Sequence, residues 1–366
     1  MGVCERDPRQ ITEVSRRHPG TLVDRDLDAA LADPRIQALA VATPPCTHHE
    51  IVRRALEAGK HVLVEKPLAT TVGEAVDLIR LAERRGLVLM PGHTFVYSPS
   101  VQKVRDLIRE GVLGEIYFVT SSRMNLGKYQ DHGVVLDLAP HDLSILAQWL
   151  DEPLVQVAAT GRSVFREDVP EIAFLTLTFA SGAQANVQVS WLAPRKVRQM
   201  IVVGSRRMVH YEDSAADDPV RIYDRGLEFD EPPSNFGEYR LTYRSGDMVA
   251  PRIEAAEPLG LELQDFARAI REGSEPRSNA ALGLEIVLAL EALEQSLRSR
   301  GEPVAVQSAR ELLGAGMPSA NGHVAVGDGA GGNGHRSGGN GLAVAGNGSG
   351  PPHPPAELPA GARITR

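Results

Sequence analysis

Four short apolar runs, TLVD at 21–24, IQALAV at 36–41, HVLVE at 61–65 and LVLM at 87–90, are separated by stretches whose apolar residues recur at helical spacing. Unbroken apolar runs belong to strands buried on both faces, and strand–helix alternation places those strands in a parallel sheet with helices on either side. The intervening segments fit that frame. PRQITEVSRRHPG reads as a helix ending on a glycine, and DLDAALADP as an aspartate cap followed by a helix. THHEIVRRALEAGK is amphipathic, with Ile51, Ala55 and Ala58 expected on one side and Gly59 at its end. TVGEAVDLIRLAERRG turns Ala75, Leu78, Ile79 and Ala82 inward. Residues 1–93 are therefore expected to form an α/β unit around a parallel sheet.

The period changes after residue 93. PSVQKVRDLIREG is helical, EIYFVTSSRM reads as a strand, and a helix is expected over about 137–150, with Asp137 as its cap. Strands with strict alternation follow. In AQANVQVSW, Ala183, Ala185, Val187, Val189 and Trp191 face one way, and Gln184, Asn186, Gln188 and Ser190 face the other. AFLTLTF precedes it across a Ser181-Gly182 turn, while RQMIVVGS and RMVHYED continue the sheet. LELQDFARAIREG and GLEIVLALEALEQSLRSRG are closing helices. Residues 94–312 are expected to form an α+β unit with a large open, mostly antiparallel sheet. One face of that sheet lies on helices and the other is partly polar.

From 313 to 366 large apolar side chains almost vanish among Gly, Asn and Pro, the composition of a disordered tail. Its GAGGNG at 329–334 matches a dinucleotide-binding spacing, but that pattern has meaning only between a strand and a helix, and HRSGGNG cannot begin one. The formal charge of −8 and the lack of a basic stripe argue against nucleic acid. No apolar run reaches the roughly 20 residues of a bilayer span, and no membrane partner is expected. Cys4 and Cys46 form no CxxC pair, so neither a disulfide framework nor a thiolate metal site is expected, and a cytoplasmic protein fits best.

Two constellations could carry chemistry. Lys66 stands between Glu65 and Pro67 where the strand HVLVE ends. Lysine is costly to bury, and ligands of open parallel sheets bind outside the carboxyl ends of the strands. The alternative is a solvated lysine paired with Glu65. The second is LDLAPHDL, where Asp137 and His141 stand four residues apart on one side of a helix and can bring a carboxylate and an imidazole together. The alternatives are an N-cap with a hydrogen-bonded histidine, or a metal site completed by His132, for which no further ligand cluster is apparent.

Taken together, ATPPCTHHE, HVLVEKPLA, MPGHTF and the Asp137-to-His141 motif resemble, in order and spacing, the Gfo/Idh/MocA oxidoreductases. The resemblance covers about residues 3–310. It implies a Rossmann-type NAD(P)-binding domain followed by an α+β domain whose sheet forms a homodimer or homotetramer interface. It implies hydride transfer between nicotinamide and a hydroxyl-bearing carbon of a sugar, polyol or nucleotide-activated sugar. By position, Lys66, Asp137 and His141 take the catalytic places. Glu65, Lys66, Pro67 and His48, with Thr43 and Pro44 in the neighbouring loop, flank the cofactor. Either His141, with an ordinary pKa near 6.5, or Lys66 could move the hydroxyl proton. Glu5 matches the acid that grips the adenosine ribose, which favours NAD over NADP because a carboxylate repels a 2′-phosphate. The family's opening strand and GxGxxG turn have no counterpart here, so the Rossmann sheet is expected to be incomplete at its N-terminal side. Two explanations stand: a longer native protein, which is favoured, or a chain that binds cofactor poorly and serves as a non-catalytic binding or regulatory homologue. A Schiff-base enzyme using Lys66 is a further alternative.

Overall fold

The computed structural model describes residues 2–24, 26–127, 130–229 and 241–314. The first part runs β1 (Gly2–Cys4), α1 (Pro8–Arg17), β2 (Leu22–Asp24), α2 (Leu27–Ala32), β3 (Ala38–Val41), α3 (His48–Glu57), β4 (His61–Glu65), α4 (Val72–Arg85) and β5 (Leu89–Gly92). Every strand pairing among these five is parallel, as the apolar runs require. The central strand β4 is closed on both faces, with Val62 and Val64 wholly buried. Helix α4 starts on a capping box between Thr71 and Glu74 and stops at Gly86 in the left-handed region. Its buried stripe contains the expected Ala75, Leu78, Ile79 and Ala82. In α3 the buried stripe is rotated from the expected one: Val52 and Leu56 join Ala55, while Ile51 is half-buried and Ala58 exposed. The larger side chains take the core and the alanine is left outside.

The strands do not form one sheet. Among the described residues β1 pairs only with β2, and β3–β4–β5 form a separate three-stranded sheet.

The second part runs α5 (Pro99–Arg109), β6 (Ile116–Met124), α6 (Val134–Leu150), β7 (Leu154–Arg162), β8 (Ile172–Phe179), β9 (Gln184–Ser190), β10 (Val197–Gly204), β11 (Met208–Glu212), β12 (Val220–Phe229), β13 (Leu241–Val249), α7 (Pro258–Glu272), α8 (Ala280–Arg298), β14 (Val304–Ala305) and α9 (Ala309–Leu313). Among the described residues nine strands form one sheet in the order β13-β12-β11-β10-β6-β9-β8-β7-β14, antiparallel except for the β6–β9 pair. The alternation of β9 is as its sequence requires, and Ala183, Ala185, Val187, Val189 and Trp191 are all buried. On the opposite face, register aligns Thr176, Asn186, Thr120 and Ile201, with Phe174 and Phe118 in the flanking rows. Phe118, Phe174 and Ile201 are exposed there.

Helix α6 begins at Val134, earlier than expected. Gly133 is its N-cap and Asp137 lies inside the first turns, so the reading of Asp137 as the cap is corrected. The apolar Val134 and Val135 pull the start forward by burying completely. Helix α8 is buried around most of its girth. Leu284, Val287 and Leu288 belong to the core of the parallel sheet, whereas Leu282, Ile286, Leu290 and Leu293 belong to the core of the nine-stranded sheet. Helix α9 extends through Leu313, one residue into the expected tail. The rest of that tail, with GAGGNG, lies outside the described residues.

Candidate active site

Parallel strands in register end on the same side. Val41 pairs with Val64 and Glu65 with Gly92, so the loops after β3, β4 and β5 share one edge. That edge brings together Thr43 and Pro44, Glu65 to Pro67, and His93. Thr43, Pro44 and Glu65 are exposed, and Glu65 packs over Gly92, where a Cβ would stand 3.3 Å from the Glu65 Cα. The Lys66–Pro67 peptide bond is cis. His48 takes a place other than the expected one. It is wholly buried, with Nδ1 at 2.8 Å from the Pro67 carbonyl and Nε2 at 2.9 Å from the Thr43 carbonyl. It ties the loops after β3 and β4 together from beneath, and the Pro67 ring is buried beside it.

The Lys66 side chain crosses to α6. Its ammonium donates to the Asp137 carbonyl at 2.6 Å and approaches Asp137 Oδ1 at 3.3 Å. Pro140 lies inside α6 and cannot donate to the carbonyl of Leu136. Proline thus loosens the same turn whose next carbonyl receives Lys66. The other Asp137 oxygen accepts the Trp191 indole N–H at 2.9 Å, from the end of β9. Asp137 is therefore fixed from both structural parts. His132 stands nearby; burial lowers its pKa, Asp137 raises it and Lys66 lowers it again. Among the described residues no three His, Cys, Asp or Glu side chains are placed to hold a metal ion.

His141 follows one turn later. Its ring meets Phe95 edge-on at 5.1 Å between centroids, and its Nδ1 is buried without a partner. Burial, and then the nearby charges of Arg123 and Lys66, hold its pKa well below the ordinary imidazole range. Phe95 in turn lies under the Arg123 guanidinium at 4.5 Å and the Arg198 guanidinium at 5.7 Å. Arg123 is anchored to Asp142 by bonds of 2.7 and 3.1 Å, both side chains being buried, and Ser121 donates to the same carboxylate at 2.9 Å. This chain from Asp142 through Arg123 and Phe95 sets the plane of the His141 ring.

Sequence reasoning missed several of these residues. His93 is buried at the end of β5, both ring nitrogens lack partners among the described residues, and burial together with Lys66 lowers its pKa to about 3. Glu262 of α7 is buried, accepts from Thr94 Oγ1 at 2.8 Å, and is pushed up to about 7 by burial. MPGHTF pointed to the strand end but not to its histidine. Trp191 was legible only as a core residue, because alternation reports a face and not a hydrogen bond. Glu5 stands just after β1, half-buried, its Oε1 accepting from the backbone N–H groups of Arg6 and Asp7.

A lysine at the carboxyl edge of a parallel sheet, facing a carboxylate and an imidazole from a helix on a second sheet, belongs to the two-part oxidoreductases. Residues 1–93 match the profile described as "Oxidoreductase family, NAD-binding Rossmann fold", and residues 101–210 match the GFO/IDH/MocA C-terminal domain. The chain belongs to the Gfo/Idh/MocA oxidoreductase family. It is 37% identical over 296 residues to dTDP-3,4-didehydro-2,6-dideoxy-alpha-D-glucose 3-reductase of Saccharopolyspora spinosa, covering 77% of this chain and 83% of that protein. It is 27% identical to UDP-N-acetylglucosamine 3-dehydrogenase of Acidithiobacillus ferrooxidans, covering 74% and 83%. Across the curated relatives the matched share of their own length includes values from 48% to 85%. The solved structure of levoglucosan dehydrogenase in complex with NADH and levoglucosan superposes with a TM-score of 0.70 at 22% identity, covering 83% of this chain and 90% of that one, a likeness of fold.

Proposed function

We propose that the protein transfers a hydride between a nicotinamide cofactor and a hydroxyl-bearing carbon of a sugar, with a nucleotide-activated sugar as the preferred class. The observation that carries this reading is the Lys66 ammonium held against Asp137 across the two parts, beside His141. Residues 1–93 would serve the cofactor and 94–312 the substrate.

The residues at the sheet edge fit the nicotinamide end of the cofactor. Thr43, Pro44 and Glu65 are exposed there, and the Lys66 side chain reaches across the same edge. At the other end Glu5 is half-buried just after β1, in place to accept from a ribose hydroxyl and to disfavour a 2′-phosphate, which supports NAD. NAD supplies the hydride acceptor when bound. Lys66 is placed to donate a hydrogen bond to the substrate oxygen and stabilise negative charge as it develops. Asp137, fixed by Trp191, orients Lys66 and can accept from a neighbouring hydroxyl. His141 is held neutral and can accept the hydroxyl proton, whereas the cations around it oppose a lasting imidazolium. The proton must therefore pass on to solvent, while Lys66, already an ammonium, serves as donor and not as acceptor. The nucleotide-sugar preference is supported by the relatives from Saccharopolyspora spinosa and Acidithiobacillus ferrooxidans.

A second reading is a binding homologue without catalysis, in which Lys66 serves only to join the two parts through Asp137. One experiment separates the two. NADH fluorescence is titrated with the protein, and dTDP- and UDP-sugars are then assayed for absorbance change at 340 nm. Saturable NADH binding with turnover of a nucleotide sugar is expected. Binding of the sugar with no cofactor binding would establish the second reading instead.

A further inference from the structure

A cavity of about 520 Å³ lies away from the Lys66 site, between α5, the C-terminal end of α6, α7 and the loop at 275–277. It is within the size range of small-molecule pockets, about 300–1,000 Å³. Gln148 lines it, seven residues beyond His141 in α6, or about 10 Å along the helix axis.

The charges in this cavity divide into committed and uncommitted groups. Asp265 is committed: it accepts from Tyr97 at 2.8 Å and from the Arg277 backbone N–H at 2.7 Å, and it pairs with Arg268. Arg268 also donates to Ser274 at 2.6 Å. Glu275 accepts from Asn279 at 2.8 Å. Two guanidiniums remain. Among the described residues Arg105 donates only to the neutral Gln102 amide at 3.3 Å, and its buried Nε has no partner. Arg277 lies 5.4 Å from the Tyr97 ring centroid, and among the described residues no carboxylate pairs with its guanidinium. The two repel: burial lowers the Arg105 pKa, Arg109 and Arg277 lower it further, and the more distant carboxylates of Asp151 and Asp106 offset only part of this.

Gln148 adds the second element. It is 1% exposed, yet among the described residues neither its amide nitrogen nor its amide oxygen has a partner. A buried amide with both ends unpaired is unfavourable unless something enters to satisfy it. It presents a donor and an acceptor side by side, which is what a hydroxyl group needs. Two guanidinium forks without a carboxylate in ion-pair contact among the described residues suit a single dianion, and their planar geometry suits tetrahedral phosphate oxygens.

We propose that this cavity binds a small phosphorylated polyol, its phosphate between Arg105 and Arg277 and a hydroxyl on the Gln148 amide. The site is distinct from the one assigned to hydride transfer, since none of Lys66, Asp137 and His141 lines it.

The test uses the full chain, with glucose 6-phosphate and glycerol 3-phosphate as probes, glucose as the uncharged control and sodium chloride at matched ionic strength. Calorimetric titration and thermal unfolding should show saturable binding of at least one phosphate ester and an upward shift of the unfolding midpoint, with no effect of glucose. Arg105→Ala and Arg277→Ala should each weaken binding by about tenfold or more, as loss of a charge-assisted bond implies. Gln148→Leu should raise the midpoint without ligand, because it removes an unsatisfied amide, and abolish the further shift on adding the ester. A packing role alone would not give that pair of results. Lys66→Ala should leave ester binding intact, which separates this site from the proposed active site. The proposal is overturned if neither ester stabilises beyond sodium chloride. It is equally overturned if binding survives Arg277→Ala and Gln148→Leu, or is lost with Lys66→Ala. Arg277 is exposed, so its variant remains informative should Arg105→Ala fail to fold.

Discussion

Lys66 and Asp137 stand 71 residues apart in sequence and meet at 2.6 Å, ammonium to backbone carbonyl, with the aspartate's own Oδ1 at 3.3 Å. A backbone carbonyl cannot ionise or swing away, so this contact sets the height of the ammonium over the sheet edge whatever the carboxylate does. In the proposed reaction Lys66→Met should lower kcat by roughly 10²–10³, the usual cost of one oxyanion donor, with far-UV circular dichroism unchanged. A variant retaining more than a tenth of wild-type kcat would remove Lys66 from the chemistry.

Trp191 holds the opposite oxygen of Asp137 at 2.9 Å. Trp191→Phe keeps most of the ring and deletes only the donor. It should cost about 1.5–3 kcal/mol in urea unfolding, the range for a hydrogen bond to a charged group. Activity should fall together with that of Asp137→Asn, and the double variant should show less than the sum, because both changes act on one contact.

The Arg123–Asp142 pair is buried and supports the ring stack beneath His141. Asp142→Leu leaves a guanidinium in the core and should destabilise by about 3–5 kcal/mol. Adding Arg123→Met should restore much of that loss without restoring activity, since Phe95 would no longer be clamped. Chemical denaturation of the three variants beside steady-state kinetics reads both effects.

Two buried groups give stability opposite pH slopes. His93 is held near 3, below its unfolded value of 6.5, so between these values only the unfolded chain takes up the proton. Stability should drop as pH falls from 6.5, by about 1.4 kcal/mol per pH unit, and His93→Leu should remove that component. Glu262 is raised from 4.5 to about 7, so the folded chain holds the extra proton and stability drops as pH rises through that window. Glu262→Gln should gain up to about 3 kcal/mol at pH 8 and little at pH 4. Urea midpoints of the variants, subtracted from wild type across pH 4 to 8, test both signs.

The outer face of the nine-stranded sheet exposes Phe118, Phe174 and Ile201 among threonine, asparagine and glutamine. We expect a second copy to cover it. Phe118→Glu with Ile201→Glu should convert a dimer or tetramer to monomer in light scattering. An unchanged mass would place any interface elsewhere.

Much of this was readable from period and punctuation alone. The unbroken runs fixed the parallel strands, the alternation of β9 fixed its buried face, and Gly59 and Gly86 marked helix ends. Lys66 stood out because lysine followed by proline contradicts the strand it ends. What could not be read depends on contacts between distant segments. His48 is an ordinary first-turn histidine until the carbonyls of Thr43 and Pro67 close on it. The early start of α6 follows from burial of Val134 and Val135 rather than from a capping side chain. The Gln148 amide sits in an apolar helix and shows itself only through the partners it lacks.

Helix α8 supplies Leu284, Val287 and Leu288 to the core beneath α4, although roughly 200 residues of chain separate the two helices. On a translating ribosome at about 5–20 residues per second, the first sheet waits roughly 10–40 s for its own cover. During that interval the α4 side of the nascent sheet is bare to chaperones and to neighbouring chains. A nonsense mutation before codon 280 would leave that surface permanently uncovered, so such products should accumulate as insoluble material rather than as a folded amino-terminal fragment.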